Sequence, residues 1–423
     1  MTSRRIAVIG SGVSGLTAGY LLARANDVTL FEADGRLGGH AHSHSVATDS
    51  GTELAVDSGF IVCNEQTYPL LTRLFTELGV STQEAEMSMS VRCAGCGLEY
   101  AGKRGPAGLL TGIRRGRGRY ARMLGEVLRF HRAASRLIEA DAVAGEAAEL
   151  TLGEFLAVGG YSDYFTAHFA LPFVSAVWSC PPRVALRYPA RYLFVFLANH
   201  GLLSVSGSPP WRTVTGGSRT YVELIAKQLT AVRTSAPVRS VRRHPGGAEV
   251  SAADNIPQRF DAVVIATHPD QALRLLADPT PAERRVLGAF RYSRNATVLH
   301  TDASVLPASR QAGASWNYHL SSCHADAAQV RVSYDLSRLQ RLPPGHRYLV
   351  TLNADDGIDP RQVLARMDYS HPVYTPESVA AQGALPGLND GVTAYAGAYH
   401  GWGFHEDGCR SGVAAAASLG SHW

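Results

Sequence analysis

The stretch Arg4-Arg5-Ile6-Ala7-Val8-Ile9-Gly10-Ser11-Gly12-Val13-Ser14-Gly15, running on through Leu16–Ala25 to Val28-Thr29-Leu30-Phe31-Glu32, decides the fold. An apolar run, a glycine turn, a segment with helical spacing and a second apolar run make a strand–turn–helix–strand unit. Gly10 permits the tight turn, Gly12 lets backbone approach a pyrophosphate, and Gly15 lets the helix pack closely on the sheet. Ser14 sits in the first helical turn, whose free N–H groups and positive dipole end face the phosphates. Glu32, closing the second strand with Ala33 beside it, is placed to accept hydrogen bonds from a ribose diol. The ligand class is a dinucleotide.

The residues that follow narrow the class. Arg36-Leu37-Gly38-Gly39 comes four residues after the ribose acid. It is the second signature of two-dinucleotide-binding flavoproteins, and it favours FAD over NAD. Arg36 can make a forked, charge-assisted contact with a phosphate. Gly38 and Gly39 let the chain pass close to the cofactor, with His40 next in line.

Size and composition limit the remainder. A chain of 423 residues is long enough for two cores. Its 45% hydrophobic and 18% charged content is that of a globular protein, and no apolar run has the length of a membrane span. The first strand starts too early to leave room for a secretory signal, and six cysteines make no disulfide scaffold, so reduced thiols and a cytoplasmic home are expected. Cys93-Ala94-Gly95-Cys96 has metal or redox spacing, but no second CxxC or CxxH stands near it. It reads as a glycine-containing turn between strands, and no metal is expected.

The net charge of +4 makes no case for nucleic acid, but it is unevenly spread. Residues 103–136 hold ten Lys or Arg (Lys103, Arg104, Arg114, Arg115 and Arg117 among them) against the single Glu126. Met123, Val127, Leu128, Leu137 and Ile138 suggest an apolar face on this basic helix. The pattern suits first a solvated, Arg-rich face; peripheral contact with an anionic membrane is the alternative, which gains weight if the substrate is a lipid.

Further along, Leu152–Val158 and Tyr161–Phe173 read as helical, Trp178-Ser179-Cys180-Pro181-Pro182 breaks the pattern, and Tyr192–Leu203 is almost wholly apolar. This is a helical, aromatic cap. Asp261-Ala262-Val263-Val264-Ile265-Ala266-Thr267 is a buried strand of the parallel-sheet kind, which puts Thr267 near a ligand at its carboxyl end. Gly397-Ala398-Tyr399-His400-Gly401-Trp402-Gly403-Phe404-His405-Glu406-Asp407-Gly408 then leads into an Ala-rich helix. That helix start suits the electron-rich edge of a reduced flavin. The expected fold is α/β: a Rossmann-like FAD-binding domain of the two-dinucleotide-binding type, with a mixed α+β substrate domain and helical cap. Its expected parts are residues 1–90, 206–289 and 389–423 for FAD, with 91–205 (cap) and 290–388 for substrate.

GSGVSG, EADGRLGG, VDSGF (Val56–Phe60), VTGGSRTYV, DAVVIATHP and YAGAYHGWGFHEDGCRSG together resemble the flavin amine oxidase and phytoene desaturase superfamily over nearly the whole chain. With the GFHEDG ending and SWNYH (Ser315–His319), the chain looks most like a bacterial group of FAD-binding oxidoreductases. Genes of that group often lie beside fatty-acid cyclopropane synthases or related lipid methyltransferases. The resemblance implies that Gly10, Gly12, Gly15, Glu32, Arg36, Gly38 and Gly39 hold the ADP half of FAD. It puts Val238 at the adenine through its backbone, and Gly397 and Ala398 along the ribityl and phosphate. Glu406, Asp407 and Gly408 would open the helix under the ring. Two departures weaken an amine-oxidase reading. The superfamily's flavin-side lysine maps to Asn295–Leu299, where there is none, and the chain has only Lys103 and Lys227. The common flavin-side tyrosine is Phe404.

For proton chemistry the candidates are histidines. His40, His42 and His44 alternate, so an extended chain would point them to one face, and one of His40 and His42 is expected to touch the flavin region. His405, with Glu406 and Phe404, is the candidate catalytic group, since imidazole titrates near neutrality; a helix-entry histidine bonded to backbone fits the position as well. Asn317, Tyr318, His371 and Tyr374 are the candidate pocket residues. The sequence thus predicts an FAD oxidoreductase that dehydrogenates or desaturates an apolar, fatty-acyl or isoprenoid-like substrate. The alternatives are an amine oxidase and a non-catalytic flavin-binding partner of a lipid methyltransferase.

Overall fold

The computed structural model describes residues 3–48, 51–102, 105–113, 117–144, 150–204, 208–253, 256–324, 329–354 and 357–423. Lys103, Arg104, Arg114 and Arg115 of the basic stretch lie outside them. The chain divides into two units: Met1–Gln83, Val214–Arg291 and Glu377–Trp423 make the first, Glu84–Thr213 and Tyr292–Pro376 the second. The five segments alternate between the two units along the chain. Met89–Cys93 pairs with Trp316–Leu320 and so begins the second unit before residue 91. The helix Pro376–Gln382 belongs with the last segment, because Gln382 Nε2 donates to the carbonyls of Tyr399 (2.9 Å) and Gly401 (2.7 Å).

The first unit is built on a five-stranded sheet in the order Thr393–Tyr395, Ala262–Ile265, Arg5–Ile9, Asp27–Phe31, Ala231–Arg233, every pair parallel. Its central strands read as apolar runs because both faces are buried: Ile6, Ala7, Val8, Val263 and Val264 have no exposed surface. The register aligns Ile9 with Phe31 and with Ile265, Ile265 with Tyr395, and Phe31 with Arg233. All five strands therefore end on one edge, where ligands of parallel sheets bind. Two helices pack there. Val13–Leu22 is apolar all round and almost fully buried, and His405–Ser418 lies against it. An antiparallel ribbon (Ser43–Ala47 with Glu53–Asp57) and a three-stranded sheet (Ser240–His244, Gly247–Ser251, Pro257–Phe260) complete the unit.

The second unit carries a seven-stranded sheet in the order Val363–Val373, Arg291–His300, Leu349–Leu352, Val332–Asp335, Trp316–Leu320, Met89–Cys93, Glu99–Gly102. Its helices gather around Phe130, whose ring lies 5.4 Å from Phe194, 5.7 Å from Phe165 and 5.9 Å from Phe155 and Tyr161. This cluster explains the apolar face of the basic helix Arg117–Ala144. Tyr120, Met123, Phe130 and Ala134 turn into the unit's own core, while Arg119, Arg122, Arg129, Arg132 and Arg136 face outward. Leu128, expected on the apolar face, is exposed. No helix among the described residues is long and apolar enough to cross a membrane.

Candidate active site

The glycines at the head of the sheet are required by contact. A Cβ on Gly10 (φ +100°) would stand 2.7 Å from the carbonyl oxygen of Ala266, and one on Gly15 only 2.0 Å from that of Gly10. Gly12 is different: a Cβ there would meet nothing within 4 Å, so the helix start opens onto free space. The Arg36–Gly39 turn folds over it. Gly38 (φ +105°) donates its N–H to the Ser11 carbonyl at 3.1 Å, and a Cβ on Gly39 (φ +58°) would lie 3.2 Å from Gly12 Cα. The two glycine motifs thus make one cradle.

Glu32 ends its strand as expected. Its Oε2 accepts from Ser11 N (2.9 Å) and Ser11 Oγ (2.5 Å), and Oε1 accepts from Asp34 N (2.9 Å). Arg36 lies beside its own loop. Its Nη1 donates to the Gly39 carbonyl at 2.9 Å, and its Nε lies 3.4 Å from Asp34, so it braces its own loop. Ser235 and Ala236 donate N–H groups to the carbonyls of Asp34 and Glu32, both at 2.9 Å, which brings Val238 to this side of the sheet. Thr267 follows the buried strand and would sit 3.4 Å from a Gly10 Cβ.

The last segment enters the same edge. Ala396 N donates to Ile265 O at 3.1 Å and Gly397 N to Ser411 Oγ at 2.9 Å, followed by a short turn at Ala398–His400. The helix it leads into is locked to the first one: a Cβ on Gly408 would stand 2.6 Å from Val13 Cγ1, and one on Gly412 2.4 Å from the Ser14 carbonyl. Gly408 and Gly412 advance in step with Val13 and Thr17, so the two helices run parallel. Their N-termini, with free N–H groups and positive dipole ends, converge on the cradle.

Around this helix start each candidate catalytic group has a protein partner. His405 stacks on Phe60 at 3.6 Å between centroids, and its Nε2 shares a hydrogen bond of 3.2 Å with Tyr221 Oη. Desolvation lowers the imidazole pKa to about 3, so the ring is neutral near pH 7. Glu406 Oε1 accepts from Leu70 N (3.1 Å) and Oε2 from Leu71 N (3.0 Å), the first turn of the helix Pro69–Leu78. Burial outweighs these bonds and holds the carboxyl above its usual range. Glu406, read as a catalytic candidate, is thus engaged as a helix cap. Asp407 takes the N–H of Phe404 (3.0 Å) and pairs with Arg410, and burial lifts its pKa to about 6.

The ribbon supplies further structure. The rings of His42 and His44 lie 4.0 Å apart, on one face as the alternation predicts, and His44 Nε2 meets Ser58 Oγ at 2.9 Å. Burial, then Arg36 and His44, bring His42 down to about 3. The His40 carbonyl accepts the N–H of Phe60 at 2.7 Å. Asp57, within the VDSGF run, went unremarked in the sequence. Its carboxylate accepts from Ser218 N at 3.0 and 3.1 Å, Ser218 Oγ at 2.7 Å and Ser43 Oγ at 2.5 Å, tying the ribbon to the start of the helix Arg219–Ala226. Tyr221 also had no local signal, since its partner His405 lies 184 residues away; Ser11 and Gln382, whose partners lie 17–21 residues off, went unremarked as well.

The candidate pocket residues all belong to the second unit. Asn317 makes four hydrogen bonds inside its sheet, to Ala314 O, Ser333 O, Ser90 Oγ and Ala314 N, so it braces the sheet and has no polar group to offer a substrate. Tyr318 and Tyr374 are buried core residues. His371 Nδ1 meets Asn295 Nδ2 at 2.9 Å, and Asn295 also bonds Ser179 and Asn353. Asn295 begins the stretch to which the superfamily's lysine maps.

The cradle defines a dinucleotide-binding oxidoreductase. The profile of the family described as flavin containing amine oxidoreductase matches residues 13–352, and the chain belongs to that family. It is similar to protoporphyrinogen oxidase 2 of Arabidopsis thaliana, 54% identical over 44 residues; the match spans 10% of this chain and 9% of that protein. Its fold is similar to that of cyclohexylamine oxidase from Brevibacterium oxydans (16% identity, 99% of each chain, TM-score 0.70). It is also similar to that of the CLA-producing fatty acid isomerase from P. acnes (17% identity, 97% of each chain, TM-score 0.64).

The protein is a FAD-dependent oxidoreductase, and the residues present fit FAD. Beyond the open space at Gly12 and the paired helix starts, Tyr399 Oη and His400 Nε2 are buried polar atoms with no hydrogen-bond partner among the described residues.

Proposed function

We propose that this protein dehydrogenates or desaturates an apolar substrate of fatty-acyl or isoprenoid type. When bound, FAD supplies the two-electron acceptor for a hydride leaving a C–H bond. The supporting observation is the state of the helix start. His405 is neutral and stacked on an aromatic ring, while Glu406 and Asp407 hold backbone N–H groups. These groups orient the Phe404–Gly408 turn, and His405 with Phe60 presents a neutral aromatic surface. A hydrocarbon gains by burial against such a surface, whereas an ammonium substrate finds no carboxylate free for it there and has only a cation–π attraction to set against its lost water. With both lysines elsewhere in the chain and Asn295 at the start of the lysine stretch, the superfamily's lysine-bridged water has no counterpart. The likeness in fold to a fatty acid isomerase supports a scaffold able to take lipid. The outward arginines of Arg117–Ala144 suit an anionic membrane as the place where such a substrate is met.

The test is anaerobic titration of the purified flavoprotein. Bleaching of the flavin by a fatty-acyl or isoprenoid lipid fraction, with no bleaching by cyclohexylamine or putrescine, is the expected result. Bleaching by amines alone assigns the protein as an amine oxidase. No bleaching by either assigns it as a flavin-binding partner without turnover.

A further inference from the structure

The second unit holds a cluster that the flavin chemistry does not use. Met89–Cys93 and Trp316–Leu320 run parallel with Cys93 opposite Leu320, so both strands end together. Beyond the first lies the turn Cys93-Ala94-Gly95-Cys96-Gly97, and three residues beyond the second lies Cys323. Ala94 N donates to Leu320 O at 2.8 Å, and Gly97 (φ +70°) closes the turn by donating to Cys93 O at 2.9 Å. The glycine at 95 lets the turn lie close against the Cys323 segment, since a Cβ there would stand 3.1 Å from Cys323 N and 3.4 Å from Cys323 Sγ. From the helical side comes His168, with no exposed surface, in the π-helical turn Thr166–Ala170. Such turns are rare and gather at functional sites.

We propose that Cys93, Cys96, Cys323 and His168 bind one zinc ion in a tetrahedral Cys3His site. Their ligand atoms all lie within 4.8 Å of one another. A tetrahedron with Zn–S of about 2.3 Å and Zn–N of about 2.0 Å has edges of roughly 3.5–3.8 Å. Cys93 Sγ stands 3.7 Å from Cys323 Sγ, and Cys96 Sγ 3.5 Å from His168 Nε2. The histidine is already oriented: Nδ1–H donates to the Tyr164 carbonyl at 3.0 Å, which leaves the Nε2 lone pair for a metal, and the Tyr164 ring stacks on the imidazole at 4.1 Å. That is the outer support metal-bound histidines have. On binding, three thiol protons go to solvent and neutral His168 donates a lone pair, leaving a site of net charge −1. No fourth cysteine is required. The sequence concealed the set because His168 and Cys323 stand 72 and 230 residues from their partners. The ion would pin the helical layer of this unit to two strand ends of its sheet, a structural role apart from the redox centre.

The experiment uses the untagged, full-length flavoprotein. Elemental analysis is expected to find one zinc per chain, and zinc-edge X-ray absorption three sulfur neighbours at about 2.3 Å with one nitrogen at about 2.0 Å. Cys96→Ser and Cys323→Ser should reduce zinc to background while the flavin-to-protein ratio holds, and Cys96→His should retain the metal. Protein free of zinc that takes none up on titration, zinc without sulfur neighbours, or a Cys93–Cys323 disulfide in non-reducing peptide maps each overturn the site. Because absorption is read on the unaltered protein, a variant that fails to fold leaves the answer intact.

Discussion

Glu406 separates a structural reading of the helix start from a catalytic one. Its two oxygens accept the N–H groups of Leu70 and Leu71 at 3.1 and 3.0 Å, and Leu71 is fully buried. Glu406→Ala removes both bonds and leaves two helix-start donors without an acceptor. A hydrogen bond to a charged group is worth about 1.5–3 kcal/mol, and a buried donor left unsatisfied costs about 1–3 kcal/mol. Burial holds this carboxyl above its usual range, which offsets part of its ionic strength, so a loss of about 3 kcal/mol is expected for Ala. Gln keeps one acceptor but turns an amide donor toward the second N–H, for a loss of about 1–2 kcal/mol. In a folding unit of about 200 residues each kcal/mol lowers Tm by about 2–4 °C, which gives about 6–12 °C for Ala and about 2–8 °C for Gln. The assay is calorimetry of the flavoprotein beside its anaerobic flavin reduction rate. Glu406→Gln that keeps wild-type Tm but loses flavin reduction would refute the reasoning, because that is the pattern of a catalytic carboxylate.

Gly412→Ala should destabilise by about 2–3 kcal/mol through overpacking, since its Cβ would lie 2.4 Å from the Ser14 carbonyl; purification with full flavin content and unchanged Tm contradicts this. His405→Gln should leave the pH dependence of flavin reduction unaltered between about pH 5 and 8, because His405 is held near 3 and stays neutral there; an inflection near 6.5 that vanishes in the variant makes it a titrating base. Acidification should lower Tm. His300, His319 and His400 at about 4, and His42 and His405 at about 3, take a proton in the unfolded chain first, so their stability is present above about pH 6.5 and lost toward pH 4. Asp57 and Asp407 at about 6 act in the opposite sense, since the folded state protonates them first and loses stability as pH rises through their range. Five histidines outweigh two aspartates, so scanning fluorimetry should show a fall of at least about 4 °C between pH 7 and 5, and a flat or rising Tm contradicts the balance.

What the sequence revealed and what it hid divide by distance along the chain. Gly10, Gly12, Gly15 and Glu32 lie within one strand–helix–strand unit, so their spacing alone carries the geometry. The carboxyl edge at Thr267 was legible because a parallel strand buried on both faces is a continuous apolar run. Glu406 was not, since its role depends on Leu70, 336 residues earlier. The four hydrogen bonds of Asn317 were hidden because an aromatic strand gives no sign of their partners. Arg36 lies in the expected place, but the Gly39 carbonyl, which no motif records, holds its guanidinium. The same blindness hid His168 and Cys323 from the Cys93–Cys96 turn.

The parallel clasp between Val13–Leu22 and His405–Ser418 also bears on how the protein is made. Synthesis delivers the first helix early and the second nearly 400 residues later, so the most intimate contact of the flavin unit is also among its most remote in sequence. Contacts of that separation form late and slow folding. Until the helix His405–Ser418 has been made and docked, the small-residue groove along Ser14 and Thr17 is uncovered and the glycine cradle lacks one wall. A complete cradle therefore waits on a helix made nearly 400 residues after the first, and until then the uncovered groove is a surface open to aggregation.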